Sequence, residues 1–456
     1  MIYDIVIVGC GAAGLFVGSV IASTLNKGLK ILVLEKKDSI AKKLLISGSS
    51  QCNFTNFNNN HKLNEKELLS NFSNHYGDNN NFVKSILGNL TPYDLIQYFK
   101  DLGIESLIRE DGKVFPISLK SIDIVNTLYK NSLDYPVKYI LKESIKTISY
   151  ESSFIKLISN NKNIYQTKYL ILSTGGNSYQ FTGSEGDISS LLSPLKIKIK
   201  SFLPALSSPI LEDYNMSKLA GINLTDYTMS LWRDKHRNQS KVINELNYLI
   251  PIIKKQTGVD FLPIFNKSGS LLFTHKNLSG PLILDSSRFF ERGDLIVIHL
   301  TKFKTLIDFE EYLNKLFQQH PKRIVKNLFT SFDIPKKLTE FIFNNYSEEV
   351  LNSKVSDINK EIRKKILVDF YCMRFKIKEL GNIESAMVSR GGVDIKEIDK
   401  KALNLKKYPN IYIAGECIDI DGDTGGYNIH FAFACAKTII KHISKQLKNK
   451  EIKVSI

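Results

Sequence analysis

The chain has 456 residues, 43% of them hydrophobic and 24% charged, which is the composition of an ordinary soluble globular protein. That length exceeds one simple core, so two or three domains are expected. Five scattered cysteines, Cys10, Cys52, Cys372, Cys417 and Cys435, argue against a disulfide framework and suit a reducing cytosol. No apolar run approaches the roughly eighteen residues of a membrane span. The net charge of +16 comes from 62 basic and 46 acidic residues. It could mark a nucleic-acid or anionic-membrane partner. The basic residues are nevertheless scattered, in small clusters such as Lys322-Arg323 and Arg363-Lys364-Lys365, and along the C-terminal helix. They read as lysines spread over solvated faces, so neither nucleic acid nor membrane is expected as a partner.

The apolar N-terminus lacks a basic n-region and carries Asp4, so it reads as the first strand of the fold and not as a signal peptide, with a cytoplasmic location expected. The stretch from Tyr3 to Glu35 organises the rest of the chain. An apolar run, Ile5 to Val8, breaks at Gly9-Cys10-Gly11-Ala12-Ala13-Gly14, continues as a helical pattern to about Asn26, and returns to an apolar run at Ile31 to Leu34. Each glycine has a physical role, in that Gly9 permits the turn, Gly11 admits a pyrophosphate close to the backbone, and Gly14 lets the helix pack on the strand. The phosphates then rest on unpaired N–H groups at the helix N-terminus, among them those of Ala12 and Ala13. Glu35 lies 21 residues beyond Gly14, where a carboxylate accepts hydrogen bonds from adenosine ribose hydroxyls. This motif alone does not separate FAD from NAD.

After Lys36-Lys37-Asp38, the segment from Ala41 to Asn56 is dense in small and amide residues and reads as a polar loop able to lie against a ligand. From Phe57 to about Asn81 the chain is Asn-rich and weakly patterned, and reads as a surface insertion. Helical periodicity resumes near Phe82 to Leu87 and from Thr91-Pro92 to Leu102. A turn at Glu110-Asp111-Gly112 leads to a short strand and then to a helix over roughly Ser118 to Ser132. Alternating segments from Val137 to Tyr165 read as a small antiparallel meander. Tyr169 to Thr174 is a buried strand of the first sheet, ending in Gly175-Gly176, where backbone can approach a ligand or simply turn.

From about Leu203 to Ser385 short strands (Tyr227 to Trp232, Gly269 to Phe273, Leu295 to Leu300) mix with helices (Phe309 to Gln319, Glu361 to Val368), without the alternation of the start. The expected organisation is a first domain segment over 1–200, an inserted domain over 201–385 and a closing segment over 386–456. The opening style returns in the last segment. Met387 to Val393 is followed by a strand Ile411 to Ala414, then Gly415-Glu416, then Asp419 to Asn428, then a final helix to about Leu447. Gly425-Gly426 opening that helix makes a second anion-friendly N-terminus. No internal repeat is present.

Five motifs, GCGAAG with Glu35, SGSSQCNFTN (47–56), STGGNSYQFTGSEGD (173–187), LLFTHKNLSGP (271–281) and AGECIDIDGDTGGYN (414–428), occur in order over nearly the whole chain. Together they resemble a bacterial family described as NAD(P)/FAD-dependent oxidoreductases, some of whose members are described as reducing bile-acid enones. The resemblance implies an α/β fold: a discontinuous FAD-binding Rossmann domain of the glutathione-reductase type, with an inserted α+β domain, β-barrel-like plus helical. It implies that Gly9, Gly11, Gly14 and Glu35 hold the ADP half of FAD, and that Gly415, Glu416 and Asp419 lie by the ribitol and pyrophosphate. Thr424, Gly425, Gly426, Tyr427 and Asn428 would present a helix N-terminus to the flavin. Further candidate FAD contacts are Lys36, Lys43, Ser47, Gly48, Cys52, Asn53, Thr55, Thr174, Gly175 and Gly176. The chain departs from the family where a run of glycines and an Arg usually precede Cys-Asn, since Ser49, Ser50 and Gln51 stand there. It departs again at His430 and Phe431, where Gln and Trp are common.

A flavin reductase passes hydride from a transient NAD(P)H through flavin N5 to an activated C=C bond of a small molecule, with a protein acid supplying the proton. Tyr427, His275 and Arg390 are the candidates for that acid or for polarising a carbonyl. No CxxC or CxxxxC pair supports dithiol chemistry at Cys52, and no second GxGxxG binds the nicotinamide nucleotide. No metal is expected. Two alternatives stand beside this reading: an RNA-associated flavoprotein, kept open by the charge, and an oxidase that uses oxygen directly.

Overall fold

The structure is a computed structural model that describes residues 1–25, 28–57, 64–151, 153–303, 305–329 and 332–454. They form two compact units, 1–206 together with 382–456, and 207–381.

In the first unit the apolar runs predicted as strands lie side by side. Ile2–Val8 pairs in parallel with Ile31–Leu34 on one side, Ile5 opposite Ile31, and with Ile164–Leu172 on the other, Val8 opposite Leu172. Ile411–Ile413, from the far end of the chain, joins in parallel alongside Leu170 to Leu172. These strands are buried on both faces, which is why they read as unbroken apolar runs without polar alternation. The sheet is extended by Val137–Ile140, parallel to Ile31–Leu34, and by two antiparallel strands, Ile145–Tyr150 and Ile155–Ser159. The expected meander therefore loses its first strand to the central sheet, because the side chain of Val137 is buried there.

The first helix, Ala12–Thr24, ends two residues short of the predicted Asn26, which lies outside the described residues. It packs on the last helix, Tyr427–Val454, with Phe16 stacked on Phe433 at a centroid distance of 4.5 Å.

Two expectations need correction. The segment read as a polar loop opens with a helix, Lys42–Ser50, whose backbone leaves helical geometry at Ser47, Gly48 and Ser49. Within the segment read as a surface insertion, 58–63 lies outside the described residues, and Glu65–Ser73 is a helix with a full capping box between Asn64 and Glu67. Phe72 and Tyr76, beyond that cap, are buried in the main core. The Asn-rich composition hid an amphipathic helix only nine residues long.

The second unit is built on a six-stranded antiparallel sheet. Its order is Ile210–Leu211, Cys372–Glu379, Leu295–His299, Asn223–Asp234, Phe261–Phe273 and Leu278–Ser279. Helices including Leu306–Gln319, Lys336–Phe343 and Lys360–Tyr371 supply the other side of its apolar core. Arg233 makes a two-pronged pair with the fully buried Asp294, Nε to Oδ1 at 3.0 Å and Nη2 to Oδ2 at 2.8 Å. The fork geometry satisfies both carboxylate oxygens where an unpaired charge would be costly.

Candidate functional site

The glycine turn behaves as its chemistry requires. Gly9 has φ +94°, and a Cβ there would lie 2.5 Å from the Ser173 carbonyl. A Cβ on Gly14 would drive into the carbonyl oxygen of Gly9. Gly11 is different, because a Cβ there meets nothing within 4 Å. Its missing side chain leaves open space directly at the N-terminus of the helix Ala12–Thr24, whose first N–H groups receive no side-chain cap and whose first turn holds no acidic residue. Open space facing uncapped donors and a positive dipole is what a pyrophosphate needs. Glu35, 8% exposed, accepts from Cys10 N–H at 2.7 Å and Lys37 N–H at 2.9 Å. Each oxygen keeps a lone pair for a ribose hydroxyl.

Segments far apart in sequence converge on this turn. Gly415, with φ +70°, would place a Cβ 3.3 Å from that of Ala13 and 3.4 Å from that of Ala432, so it lies wedged between the first and last helices. Gly426, with φ +99°, would place a Cβ 2.6 Å from the Thr55 carbonyl and 2.9 Å from Asn53 Oδ1. Asn56 Nδ2 donates to the carbonyl of Gly425 at 3.1 Å. The loop before the last helix is closed by Asn428, whose amide donates to Gly422 O at 2.9 Å and accepts from Gly422 N at 2.8 Å. Thr55, Asn53, Gly415 and the Thr424 to Asn428 turn thus form one neighbourhood, with the Thr55 hydroxyl 2.7 Å from His430 Nδ1. His430 donates from Nε2 to Leu90 O at 2.8 Å, which leaves Nδ1 to accept from Thr55. Burial lowers the pKa of His430 to about 4, so the ring is neutral.

Other predicted contacts are held by protein partners. Lys43 Nζ lies 2.6 Å from Glu416 Oε2 and 2.5 Å from Ser178 Oγ. Glu416 also accepts from Ser389 N–H at 2.8 Å and Ser389 Oγ at 2.9 Å. Burial raises the Glu416 pKa, but the charge and hydrogen bond of Lys43, with the Ser389 bonds, outweigh it and hold the carboxyl below its usual range. Asp419 accepts from Gly391 N–H at 3.1 Å and pairs with Lys200 at 2.5 Å. Lys36 pairs with Asp187 at 2.6 Å and Glu185 at 3.2 Å. The space beside Gly175 and Gly176 is filled by Ser184, Ser389 and Glu416, so this turn closes on protein. Thr174 Oγ1 lies 3.5 Å from the Cys417 thiol.

The stretch Ser47 to Cys52 runs through left-handed backbone, with Gly48 at φ +54°, Ser49 at +56°, Ser50 at +64° and Cys52 at +58°. Ser49 and Ser50 occupy positions where family members have glycine, and the left-handed region costs an L-residue roughly 1–2 kcal/mol. Ser47 Oγ donates to Leu44 O at 2.7 Å. Gln51, standing where the family has Arg, accepts at 2.8 Å from Arg109, whose guanidinium lies 4.0 Å above the Phe115 ring. A cation is therefore present beside this loop, although it comes from another segment. Cys52 is fully buried and its thiol is pushed up to about 12 by burial, far from a reactive thiolate.

Of the candidate acids, Tyr427 is buried, and Arg390 lies on the strand Val388–Val393 of the same unit. His275 is exposed in the Thr274–Asn277 turn of the second unit. The sequence reading missed His75. Its Nδ1 lies 3.0 Å from Asp423 Oδ2 and its ring stacks on Tyr427 with centroids 4.0 Å apart. No pattern marked this residue, because it comes just after the short helix hidden in the Asn-rich segment. The second unit also holds a cavity of about 790 Å³ lined by Tyr227, His299, Phe303, Tyr312 and Phe332, which none of the predicted site residues lines. Among the described residues no His, Cys, Asp and Glu cluster could hold a metal ion, and no helix is long and apolar enough to cross a membrane.

The fold and this glycine-lined cleft are those of a Rossmann-type FAD-dependent oxidoreductase. The chain belongs to the HI0933-like family, whose Rossmann-domain model matches residues 3–441. It is 28% identical to the ribosomal RNA dihydrouridine synthase of Haemophilus influenzae, over 97% of this chain and 98% of that protein. It is 25% identical to the protein of the same name from Escherichia coli, over 96% and 98%. It is 22% identical to the 3-dehydro-bile acid delta(4,6)-reductase of Clostridium scindens, over 94% and 96%.

Two outcomes test the site. Gly11→Ala is expected to leave thermal stability unchanged while weakening FAD binding at least tenfold in a fluorescence titration, whereas Gly14→Ala destabilises the apoprotein itself. An equal loss of stability in both variants would show that Gly11 serves only the turn. The second concerns pH. His430 is neutral when folded and protonates near pH 6.5 when unfolded, so the unfolded state binds more protons between about pH 6.5 and 4. The His430 contribution is complete above that window and falls with decreasing pH by at most about 1.4 kcal/mol per pH unit. Urea unfolding from pH 7 to pH 4.5 should show a shallower decline for His430→Gln than for the wild type.

Proposed function

We propose that this flavoenzyme reduces the C5=C6 bond of uridine in ribosomal RNA, with hydride drawn from NADH or NADPH that docks transiently. The observation that carries the reading is the end-to-end match to two ribosomal RNA dihydrouridine synthases. The net charge of +16 agrees with a polyanionic substrate. The chemistry is that of an activated alkene: C5=C6 of uracil is conjugated to the C4 carbonyl, as an enone is, so the bile-acid reductase relative belongs to the same reaction class. In the balanced reaction uridine gains a hydride at C6 and a proton at C5, and the nicotinamide is oxidised.

FAD held at the cleft supplies the hydride chemistry. The chain's own residues bind and orient it. Gly11 leaves the pyrophosphate space, Glu35 receives the ribose, and the N-terminus of the last helix, opened by Gly425 and Gly426, offers N–H donors and a positive dipole to developing negative charge. For the proton we favour His75. Asp423 fixes its Nδ1–H, so Nε2 is the position that exchanges a proton, and its side chain is 32% exposed. Arg390 stays charged and suits carbonyl polarisation better than proton donation. A second reading, reduction of a small enone, is favoured by the bile-acid relative alone.

Anaerobic mixing with NADH and with NADPH tests the reductant: one of them should bleach the flavin band, and no bleaching by either contradicts the reading. The reduced enzyme is then offered unmodified ribosomal RNA or a steroid enone. Nucleoside mass spectrometry should find dihydrouridine in the RNA, while reduction of the enone with no dihydrouridine selects the second reading. His75→Gln should slow flavin reoxidation by substrate roughly 100-fold and leave bleaching by NAD(P)H unchanged.

A further inference from the structure

The basic clusters that look scattered in the sequence meet in the second unit. The backbone of Ile324 forms an antiparallel bridge with Lys354, Val355 N–H donates to Arg323 O at 3.0 Å, and Ser356 N–H donates to Pro321 O at 2.9 Å. The segment 321–326 thus lies along 353–356. Arg363, in the helix Lys360–Tyr371, fastens this pair from the helix side. Its Nη2 donates to Val355 O at 3.1 Å, its Nε to Ile358 O at 3.2 Å, and its guanidinium lies 5.3 Å from the Phe317 ring centroid. Lys360 and Lys364 share one stripe of that helix, a turn apart, beside Arg363.

These adjoining segments carry Lys322, Arg323, Lys326, Lys354, Lys360 and Lys364, all exposed. Among the described residues none of the six forms an ion pair. Asp357 and Glu361 lie within the same segments, and Glu348 and Glu349 on the helix Glu348–Asn352 that packs beside Val325–Phe329, so the six cations outnumber these four carboxylates. Lys365, adjacent in sequence, is used elsewhere: it pairs with Asp369 at 2.8 Å and lies 3.8 Å from the Tyr346 ring centroid.

We infer that these segments form a phosphate-binding surface for the ribosomal RNA substrate, an inference that rests on the reading of the previous subsection. Six solvated cations on a backbone braced by hydrogen bonds can displace the counterions condensed on RNA phosphates, which gives affinity without base readout. The charge itself would also suit an anionic membrane. A helix lying in a lipid interface inserts large apolar side chains, and between 320 and 371 none of the described residues is an exposed large hydrophobic. RNA is therefore the partner this surface fits.

The test measures binding of the FAD-loaded protein to purified ribosomal RNA at several KCl concentrations. The variant Lys322→Ala/Arg323→Ala/Lys326→Ala should lower the slope of log K against log[KCl] by roughly two, at about 0.7 to 0.9 for each phosphate it no longer neutralises. Its flavin spectrum, thermal stability and bleaching by NAD(P)H should match the wild type, since these side chains are exposed. The control Lys336→Ala/Lys337→Ala, on another helix of the same unit, should keep the full slope. Wild-type binding to RNA with equal slopes in all three proteins overturns the surface and leaves the proposed function standing, as does an equal drop in the control. A wild type that ignores RNA and binds phosphatidylserine vesicles overturns both.

Discussion

The contact on which the site depends is the packing of the first helix against the last. Phe16 stacks on Phe433, and Gly415 is wedged between Ala13 and Ala432, where a Cβ would fit only tightly. Through that contact a glycine turn near residue 10 and a glycine turn near residue 425 are drawn toward each other. The parallel pairing of Ile411–Ile413 beside Ile164–Leu172 enforces the same arrangement from the sheet side, since that strand delivers Gly415 to its place.

Charged groups then act as ties more than as ligands. Lys43 and Glu416 are 373 residues apart and join the helix after the second strand to the turn after Ile411–Ile413. Asp419 holds Gly391 and Lys200, and Lys36 holds Asp187. Each partly buried pair satisfies its desolvated groups through further hydrogen bonds, the condition under which such pairs persist in a fold. What they leave open is backbone at the N-terminus of the first helix, which receives no side-chain cap, and space at Gly11. In the proposed site a polyanionic cofactor would be received mainly by main-chain donors, with side chains fixing the loops that present them.

How far the sequence could be read depends on the range over which each signal acts. The strand, turn and helix around Gly9 to Gly14 were legible because the roles of glycine are local, set by φ at Gly9 and by close packing at Gly14. The buried strands were legible because parallel strands covered on both faces carry unbroken apolar runs. His75 was not, because a nine-residue helix in Asn-rich sequence has too few turns to show a period, and the partners of that residue lie some 350 positions away. Separation of more than 200 positions likewise hid the role of Gly175-Gly176, a turn that closes on Ser389 and Glu416 and not on open space. The basic face shows the converse: Lys322-Arg323 and Arg363-Lys364 look scattered in one dimension and meet in three.

An activated alkene flanked by a carbonyl, reduced at a flavin, is what the proposed uridine reduction shares with enone reduction. The unpaired cations of the second unit are the kind of feature a nucleic acid requires and a steroid does not. The central claim, a single cofactor gripped by both ends of the chain, is tested most directly by hydrogen–deuterium exchange of the apoprotein titrated with FAD. The account predicts that peptides covering 9–14 and 415–428 become protected together, with the same half-saturation. Protection of one segment while the other exchanges as in the apoprotein would contradict it.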